Sequence, residues 1–199
     1  MDSFEARALN EGYEVIIGID EAGRGPIAGP VVAGAVVFSR RLLELGLKDS
    51  KKLSPSKREA FSYSIFLNSP SVGVGVVWTE EVDSLNIHRA SLMAMKRAVE
   101  KLEKKGVTPQ ILLVDGPHTI PDIDIPQIPI VSGDSLSVTI AAASIVAKTV
   151  RDNIMRAYHR LYPDYDFETN KGYPTKDHII TLDEIGPSPI HRRSFSPLK

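Results

Sequence analysis

The sequence predicts an α/β fold for its 199 residues. Short apolar runs rich in β-branched residues, such as 14–20 and 111–115, have the length and composition of buried strands. Longer segments with apolar residues at helical spacing lie between such runs, and 136–162 is the longest of them. Strands that alternate with helices in this way are typical of α/β domains.

The strands are expected in a definite order along the chain, at 14–20, 31–38, 72–79, 111–115 and 125–131. The first two are joined by a link rich in glycine and proline, which excludes a helix between them. The last contains two prolines, which cannot donate to a sheet ladder. We therefore expect it at an edge of the sheet or in an irregular conformation.

Helices are expected at 55–67, 87–105, 136–162 and 175–185, with a further helix start at Thr79. Ser54 followed by Pro55 has the composition of a helix N-terminus, and Thr175 is a second N-cap candidate. The intervening segments, 40–54 and 165–174, are predicted to be a polar connection and a loop. Residues 1–162 are thus interpreted as one domain and 163–199 as a small helical extension docked on it.

Composition excludes several classes of protein. The chain has no cysteine, which rules out disulfides, thiolate metal sites and a cysteine nucleophile. The first residues lack the apolar segment of a signal peptide, and no apolar run reaches the ~20 residues of a membrane helix. We expect a cytoplasmic protein without membrane contact. The net charge of −1 is uninformative, but 48–58 and His191–Arg193 are locally basic and suited to a polyanion.

Acidic residues follow two of the predicted strands and begin the long helical segment. Asp20 and Glu21 end the first strand, Asp115 ends the fourth, and Asp134 precedes the long helix. Strand ends gather at one edge of an α/β sheet, where ligands bind. Carboxylates that converge there favour Mg²⁺ or Mn²⁺, and two ions about 3.5–4 Å apart could promote an in-line phosphoryl displacement. The alternative is that these acids are caps or surface residues.

The glycine-rich link resembles two nucleotide-binding motifs and satisfies neither. Residues 18–23 have the glycine spacing of a P-loop, but Arg24 and Gly25 replace the required Lys and Ser or Thr. Residues 23–28 fit a dinucleotide-binding pattern, but a strand follows them instead of a helix. A better interpretation is that Gly23 and Gly25 allow the backbone to approach a substrate while Arg24 binds a phosphate.

Seven motifs that together span nearly the whole chain resemble the ribonuclease HII family. They are Gly18–Gly25, Asp49–Ser54, Val114–Gly116, Gly133–Ser135, Ala141–Lys148 with Arg151 and Asp152, Lys171–Thr175 and His191–Phe195. The resemblance implies a ribonuclease H-like mixed sheet flanked by helices, with a C-terminal helical extension. It also implies an endonuclease that acts on RNA–DNA hybrids and on DNA duplexes containing ribonucleotides, with a role in ribonucleotide excision repair.

The resemblance also assigns roles to individual positions. The metal-binding carboxylates would be Asp20, Glu21, Asp115 and Asp134, with Mn²⁺ or Mg²⁺ as cofactor and two ions during catalysis. Gly23, Arg24 and Gly25 would contact the ribose 2′-hydroxyl and the adjoining phosphates, and Tyr173 would stack on the next deoxyribose. Backbone phosphates would meet Lys51, Lys52, Arg192 and Arg193. The protein is expected to act as a monomer.

Two other functions fit the same sequence less well. One is a nuclease of related fold that cuts DNA structures such as four-way junctions. The other is a nucleic-acid-binding domain without catalysis, which the full set of four acids disfavours. Cleavage of a ribonucleotide-containing duplex distinguishes the expected enzyme from both.

Overall fold

The computed structural model describes residues 3–47 and 54–198. The strands are β1 (Ile16–Ala22), β2 (Val31–Val37), β3 (Val72–Val77), β4 (Ile111–Asp115) and β5 (Gln127–Ile130). The helices are α1 (Phe4–Asn10), α2 (Arg41–Glu44), α3 (Pro55–Asn68), α4 (Thr79–Leu85), α5 (Ile87–Glu103), α6 (Gly133–Leu136), α7 (Val138–Leu161), α8 (Phe167–Asn170) and α9 (Lys176–Ile185).

The sheet is mixed, and its strands lie in the order β3-β2-β1-β4-β5. β1 and β2 are antiparallel, as are β2 and β3, whereas β4 is parallel to both β1 and β5. The proline-containing strand is at an edge, as predicted. Ile19 of β1 pairs with Val114 of β4. Asp20 and Asp115 are the next residues on these parallel strands, so their backbones lie side by side.

Helices cover both faces of the sheet. Alternate β1 residues Ile17 and Ile19 pack in the cluster that includes the buried face of α5. On the other face, small residues at 141–143 let α7 lie close to the strands. Because side chains along a strand point to opposite faces, Asp20 is on the α7 side and Glu21 on the α5 side.

The segment after α7 shares a hydrophobic cluster with α7 and with the link after β1. Phe167, Leu182 and Ile190 pack there against Met155 of α7 and Ile27 of the link after β1. The division into a domain of residues 1–162 and a docked extension of residues 163–199 stays a prediction.

Several short elements differ from the sequence-based expectation. The polar connection includes α2, the expected loop includes α8, and a 3-10 helix spans Pro163–Tyr165. The long helix begins at Val138, after α6, because Ser132 adopts a left-handed conformation and Ser137 caps a new helix through its side chain. Within the described ranges, no helix is long and apolar enough to cross a membrane.

Candidate active site

Two aspartates lie at the adjacent ends of β1 and β4. Asp20 is 6% exposed, accepts the Glu21 amide at 2.7 Å and hydrogen-bonds to the Ser144 side chain of α7. Burial raises its pKa well above the ordinary value, and the neighbouring Glu21 and Asp115 carboxylates raise it further. Asp115 is oriented by the Gly133 amide, which donates to its Oδ1 at 2.7 Å. The aspartates are thus close enough for strong mutual repulsion when both are ionised.

Glu21 links this acidic pair to the glycine-rich loop. Burial raises the pKa of its carboxyl group, although the Arg24 guanidinium opposes that shift. Arg24 Nη1 lies 3.2 Å from Glu21 Oε1, and the Arg24 side chain is 54% exposed. A negative substrate group could therefore bind Arg24 while the carboxylates remain available to a cation.

Asp134 follows the residue that hydrogen-bonds to Asp115. It is 7% exposed, in the first turn of α6. Asp134 also lines a cavity of about 320 Å³ with Leu43 and Leu47 of the segment after β2. Asp134 is thus one residue away from a direct contact of Asp115, and it lines a cavity different from the one lined by Glu21.

The donor set fits a hard divalent cation. Within residues 3–47 and 54–198, no group of three or more acidic or histidine side chains is arranged so that it could hold a metal ion. The fit therefore rests on chemistry, because Asp20, Glu21 and Asp115 supply only oxygen donors. The pKa of Asp20 is raised by burial and further by the two neighbouring carboxylates, and a cation would offset the repulsion from those carboxylates. That Asp20, Glu21, Asp115 and Asp134 hold the metal stays a prediction.

The predicted recognition residues surround one cavity of about 370 Å³. Its lining includes Glu21, the loop from Gly23 to Gly25, and Tyr173. A Cβ atom added at Gly25 would be 3.3 Å from the Tyr173 ring, so the loop and the ring are in close contact. The structure therefore brings one catalytic candidate, the glycine loop and the exposed aromatic ring together.

Three polar residues of this cavity were not predicted to contact substrate. Ser144 and Lys148 come from α7, and Arg58 comes from α3. Asp152 aligns the two cations: its Oδ1 lies 2.6 Å from Lys148 Nζ and its Oδ2 lies 3.2 Å from Arg58 Nη1. The four-residue spacing of Lys148 and Asp152 was a usable sequence signal, whereas the α3 contact depends on tertiary packing.

Of the four basic residues expected at phosphates, the structure describes Arg192 and Arg193, which differ in exposure. Lys51 and Lys52 lie outside the described residues. Arg193 is exposed, and its amide donates to Asp83 of α4 at 2.9 Å. Arg192 is fully buried, and all five of its guanidinium N–H groups donate to backbone carbonyls. The expected phosphate contact of Arg192 is therefore wrong for this structure, because no donor of its side chain remains available.

A mixed sheet with carboxylates at adjacent strand ends, beside a glycine loop and a cationic cavity, defines a metal-dependent nuclease of the ribonuclease H-like class. The family model described as Ribonuclease HII matches residues 17–197. The chain belongs to the ribonuclease HII family.

Individual relatives agree with this assignment. The chain is 52% identical to a ribonuclease HII of Clostridioides difficile over 96% of its own length and 74% of the relative. It is 49% identical to one from Caldanaerobacter subterraneus subsp. tengcongensis, over 98% and 79%. Among solved structures, it resembles the ribonuclease HII in a PCNA complex from Archaeoglobus fulgidus, with a TM-score of 0.77, 27% identity and coverage of 90% and 94%.

Family membership establishes the general chemistry. The protein is a metal-dependent nuclease, a hydrolase that cleaves the RNA strand of RNA–DNA hybrids. Its substrates are nucleic acids.

Proposed function

We propose that the protein also nicks duplex DNA on the 5′ side of embedded ribonucleotides, and that both reactions leave a 5′-phosphate and a 3′-hydroxyl. One observation carries this proposal: Glu21, the Gly23–Gly25 loop and Tyr173 line a single cavity. A site that places a carboxylate, backbone groups and an aromatic ring around one sugar position can act on one ribonucleotide, without a long hybrid.

The carboxylates Asp20, Glu21, Asp115 and Asp134 would bind two divalent ions, Mn²⁺ or Mg²⁺. When bound, such ions activate water and stabilise the charge of an in-line phosphoryl displacement. The protein's own contribution is to hold the aspartates rigidly. Gly133 and Ser144 supply the hydrogen bonds that do so.

The recognition residues would discriminate ribose from deoxyribose. The 2′-hydroxyl both donates and accepts hydrogen bonds, so the backbone amides and carbonyls of Gly23–Gly25 are suitable partners. Tyr173 is 44% exposed and can present its ring to the following deoxyribose. Arg24 and Lys148, on the same cavity, would bind the flanking phosphates. Arg193, Lys51 and Lys52 remain candidates for more distant phosphates.

The proposed cellular role is ribonucleotide excision repair in the cytoplasm, carried out by a monomer. This role follows from the proposed single-ribonucleotide activity. Sizing the purified protein in solution tests whether it is a monomer.

Gel mapping of cleavage tests the proposal directly. The substrate is a DNA duplex with one embedded ribonucleotide, assayed with Mg²⁺ and with Mn²⁺, and an all-DNA four-way junction serves as the comparison. We expect a single nick 5′ of the ribonucleotide and no cutting of the junction. Cutting of the junction alone would establish a structure-specific DNA nuclease, and binding without cleavage in either metal would establish a non-catalytic domain.

A further inference from the structure

A buried arginine from the C-terminal extension supports the glycine-rich loop. The Arg192 side chain is 0% exposed, and it donates five hydrogen bonds to four loop carbonyls. The acceptors and distances are Gly23 O at 2.7 Å, Arg24 O at 3.2 Å, Pro26 O at 2.8 Å, and Gly29 O at 2.9 and 2.7 Å. The loop is thus fixed at both ends and in the middle by one side chain.

The backbone around Arg192 reinforces this attachment. The Arg192 amide donates to Ile27 O at 2.8 Å, and the Gly29 amide donates to Ile190 O at 2.8 Å. Residues 190–192 therefore form a short antiparallel pairing with the loop, in addition to the guanidinium contacts. A displacement of this segment would be transmitted to the loop through main-chain hydrogen bonds.

A second buried guanidinium connects the loop to the segment that carries Tyr173. Arg151 of α7 donates to Pro30 O at 3.1 Å, to Ala28 O at 3.1 Å and to Lys171 O at 3.0 Å. The Ile27 amide also donates to Gly172 O at 2.9 Å. The loop and the residues immediately before Tyr173 are consequently held at a fixed separation.

Glycine at position 23 is required for this packing. Its φ of +102° is in the left-handed region, and an added Cβ atom would be 2.3 Å from Arg151 Nε. A side chain there would therefore push the loop off the buried arginine. This close approach gives Gly23 a structural role distinct from direct contact with substrate.

The carbonyls that accept hydrogen bonds from Arg192 determine which groups of the loop can face the substrate. Arg192 is buried and does not line the 370 Å³ cavity, so the Gly23 and Arg24 carbonyls that bond to it point into the protein. In a trans peptide, the N–H of the next residue points away from the carbonyl. The amides of Arg24 and Gly25 thus point away from Arg192, and both residues line the cavity.

We propose that Arg192, assisted by Arg151, is a positioning residue that sets the preference for ribose by fixing the orientation of the loop amides relative to Tyr173. This inference rests on the proposed recognition of a single ribonucleotide. An arginine suits the role because its five donors have fixed planar geometry, whereas lysine offers a single rotatable ammonium. Charge alone would not orient four carbonyls.

The test compares ribose selectivity in the full-length wild type and an Arg192→Lys variant. Two duplexes are used, one with a single ribonucleotide and one with a 2′-fluoro nucleotide at that position, which cannot donate a hydrogen bond. We expect kcat/KM on the ribonucleotide to fall about 10- to 100-fold in the variant, since small misplacements of a recognition group have effects of this size. The fall in kcat/KM on the 2′-fluoro duplex should be smaller. The selectivity ratio, which is kcat/KM on the ribonucleotide duplex divided by kcat/KM on the 2′-fluoro duplex, therefore decreases. Arg160→Lys, an exposed arginine on α7, is the matched control and should keep the wild-type ratio.

A second variant keeps the inference testable if Arg192→Lys does not fold. Asp83 of α4 accepts the Arg193 amide at 2.9 Å and the Ser194 amide at 3.0 Å, so it anchors the segment without touching the loop. Asp83→Ala should lower the selectivity ratio in the same direction, with Asp183→Ala as its control. The inference is overturned if Arg192→Lys folds with the wild-type ratio, or if it does not fold and Asp83→Ala keeps that ratio. A wild type that does not prefer ribose would instead contradict the proposed function.

Discussion

His178 and His191 face each other inside the C-terminal extension, with their Nε2 atoms 2.9 Å apart. The hydrogen bonds around them determine where the protons lie. His178 Nδ1 is 2.8 Å from Tyr173 O, which can only accept, so His178 Nδ1 carries the proton and Nε2 accepts from His191. His191 Nδ1 then accepts from the amide and the hydroxyl of Ser188. Both rings are therefore neutral, and the chain of bonds ends on the backbone of Tyr173.

Acid should weaken this arrangement. Burial, together with the nearby His178, lowers the pKa of His191 to about 4, whereas the unfolded chain has an ordinary histidine pKa. Between these two values the unfolded state binds more protons than the folded state. The free energy of unfolding thus falls as the pH falls from about 6.5 to 4, by up to about 1.4 kcal/mol per pH unit.

Thermal melts across this range measure the effect. We expect the Tm of a His191→Gln variant to depend less steeply on pH than that of wild type, with exposed His118→Gln as the control. Equal pH slopes in wild type and His191→Gln would contradict the assigned proton positions.

The Tyr173 ring, and not its hydroxyl, should matter for substrate binding. The ring is 44% exposed and lies against Gly25. Stacking on an aromatic side chain contributes about 1–3 kcal/mol, so we expect Tyr173→Ala to raise KM about tenfold or more and Tyr173→Phe to leave it near wild type. Steady-state kinetics on the single-ribonucleotide duplex test this. Tyr63, an exposed tyrosine on α3, provides the control through Tyr63→Ala, and an equal loss in the Phe and Ala variants would rule out stacking.

Divalent metal should stabilise the fold through Asp20. Its pKa is raised by burial and by two neighbouring carboxylates, so the ionised group destabilises the folded state at neutral pH. A ligand at 100 times its Kd contributes about 2.7 kcal/mol, which corresponds to a rise in Tm of several degrees in a protein of this size. We expect that rise with Mn²⁺ for wild type and little of it for Asp20→Asn. In EDTA, Asp20→Asn should melt at or above the wild-type temperature; a lower melting temperature would contradict the repulsion.

The acidic centre could be predicted from sequence because it depends on local pattern. A β-branched run followed by an acid marks the end of a buried strand, and two parallel strands with such ends bring Asp20 and Asp115 together. The edge position of β5 followed from its prolines in the same way. These features need only the strand assignment and the geometry of a sheet.

The role of Arg192 could not be predicted, because its partners are distant in sequence. Arg192 is next to Arg193 in a basic segment that the sequence alone predicts to be exposed. Its hydrogen-bond acceptors are nevertheless backbone carbonyls of residues 23–29. Carbonyl acceptors carry no side-chain signature. The contact of Ser144 with Asp20 was not predicted for a similar reason. Ser144 lies in a segment of small and apolar residues, and that composition indicates only close packing.

The central claim is that the carboxylates at the strand ends perform metal-dependent cleavage. The most direct measurement is single-turnover cleavage of the single-ribonucleotide duplex by Asp20→Asn and Asp115→Asn, alongside their affinity for the same duplex. We expect cleavage in Mg²⁺ and Mn²⁺ to fall by at least about 100-fold while the fold and binding are retained, because each variant removes a charged oxygen ligand but keeps the side-chain shape. Wild-type cleavage rates from either variant in these metals would contradict the claim.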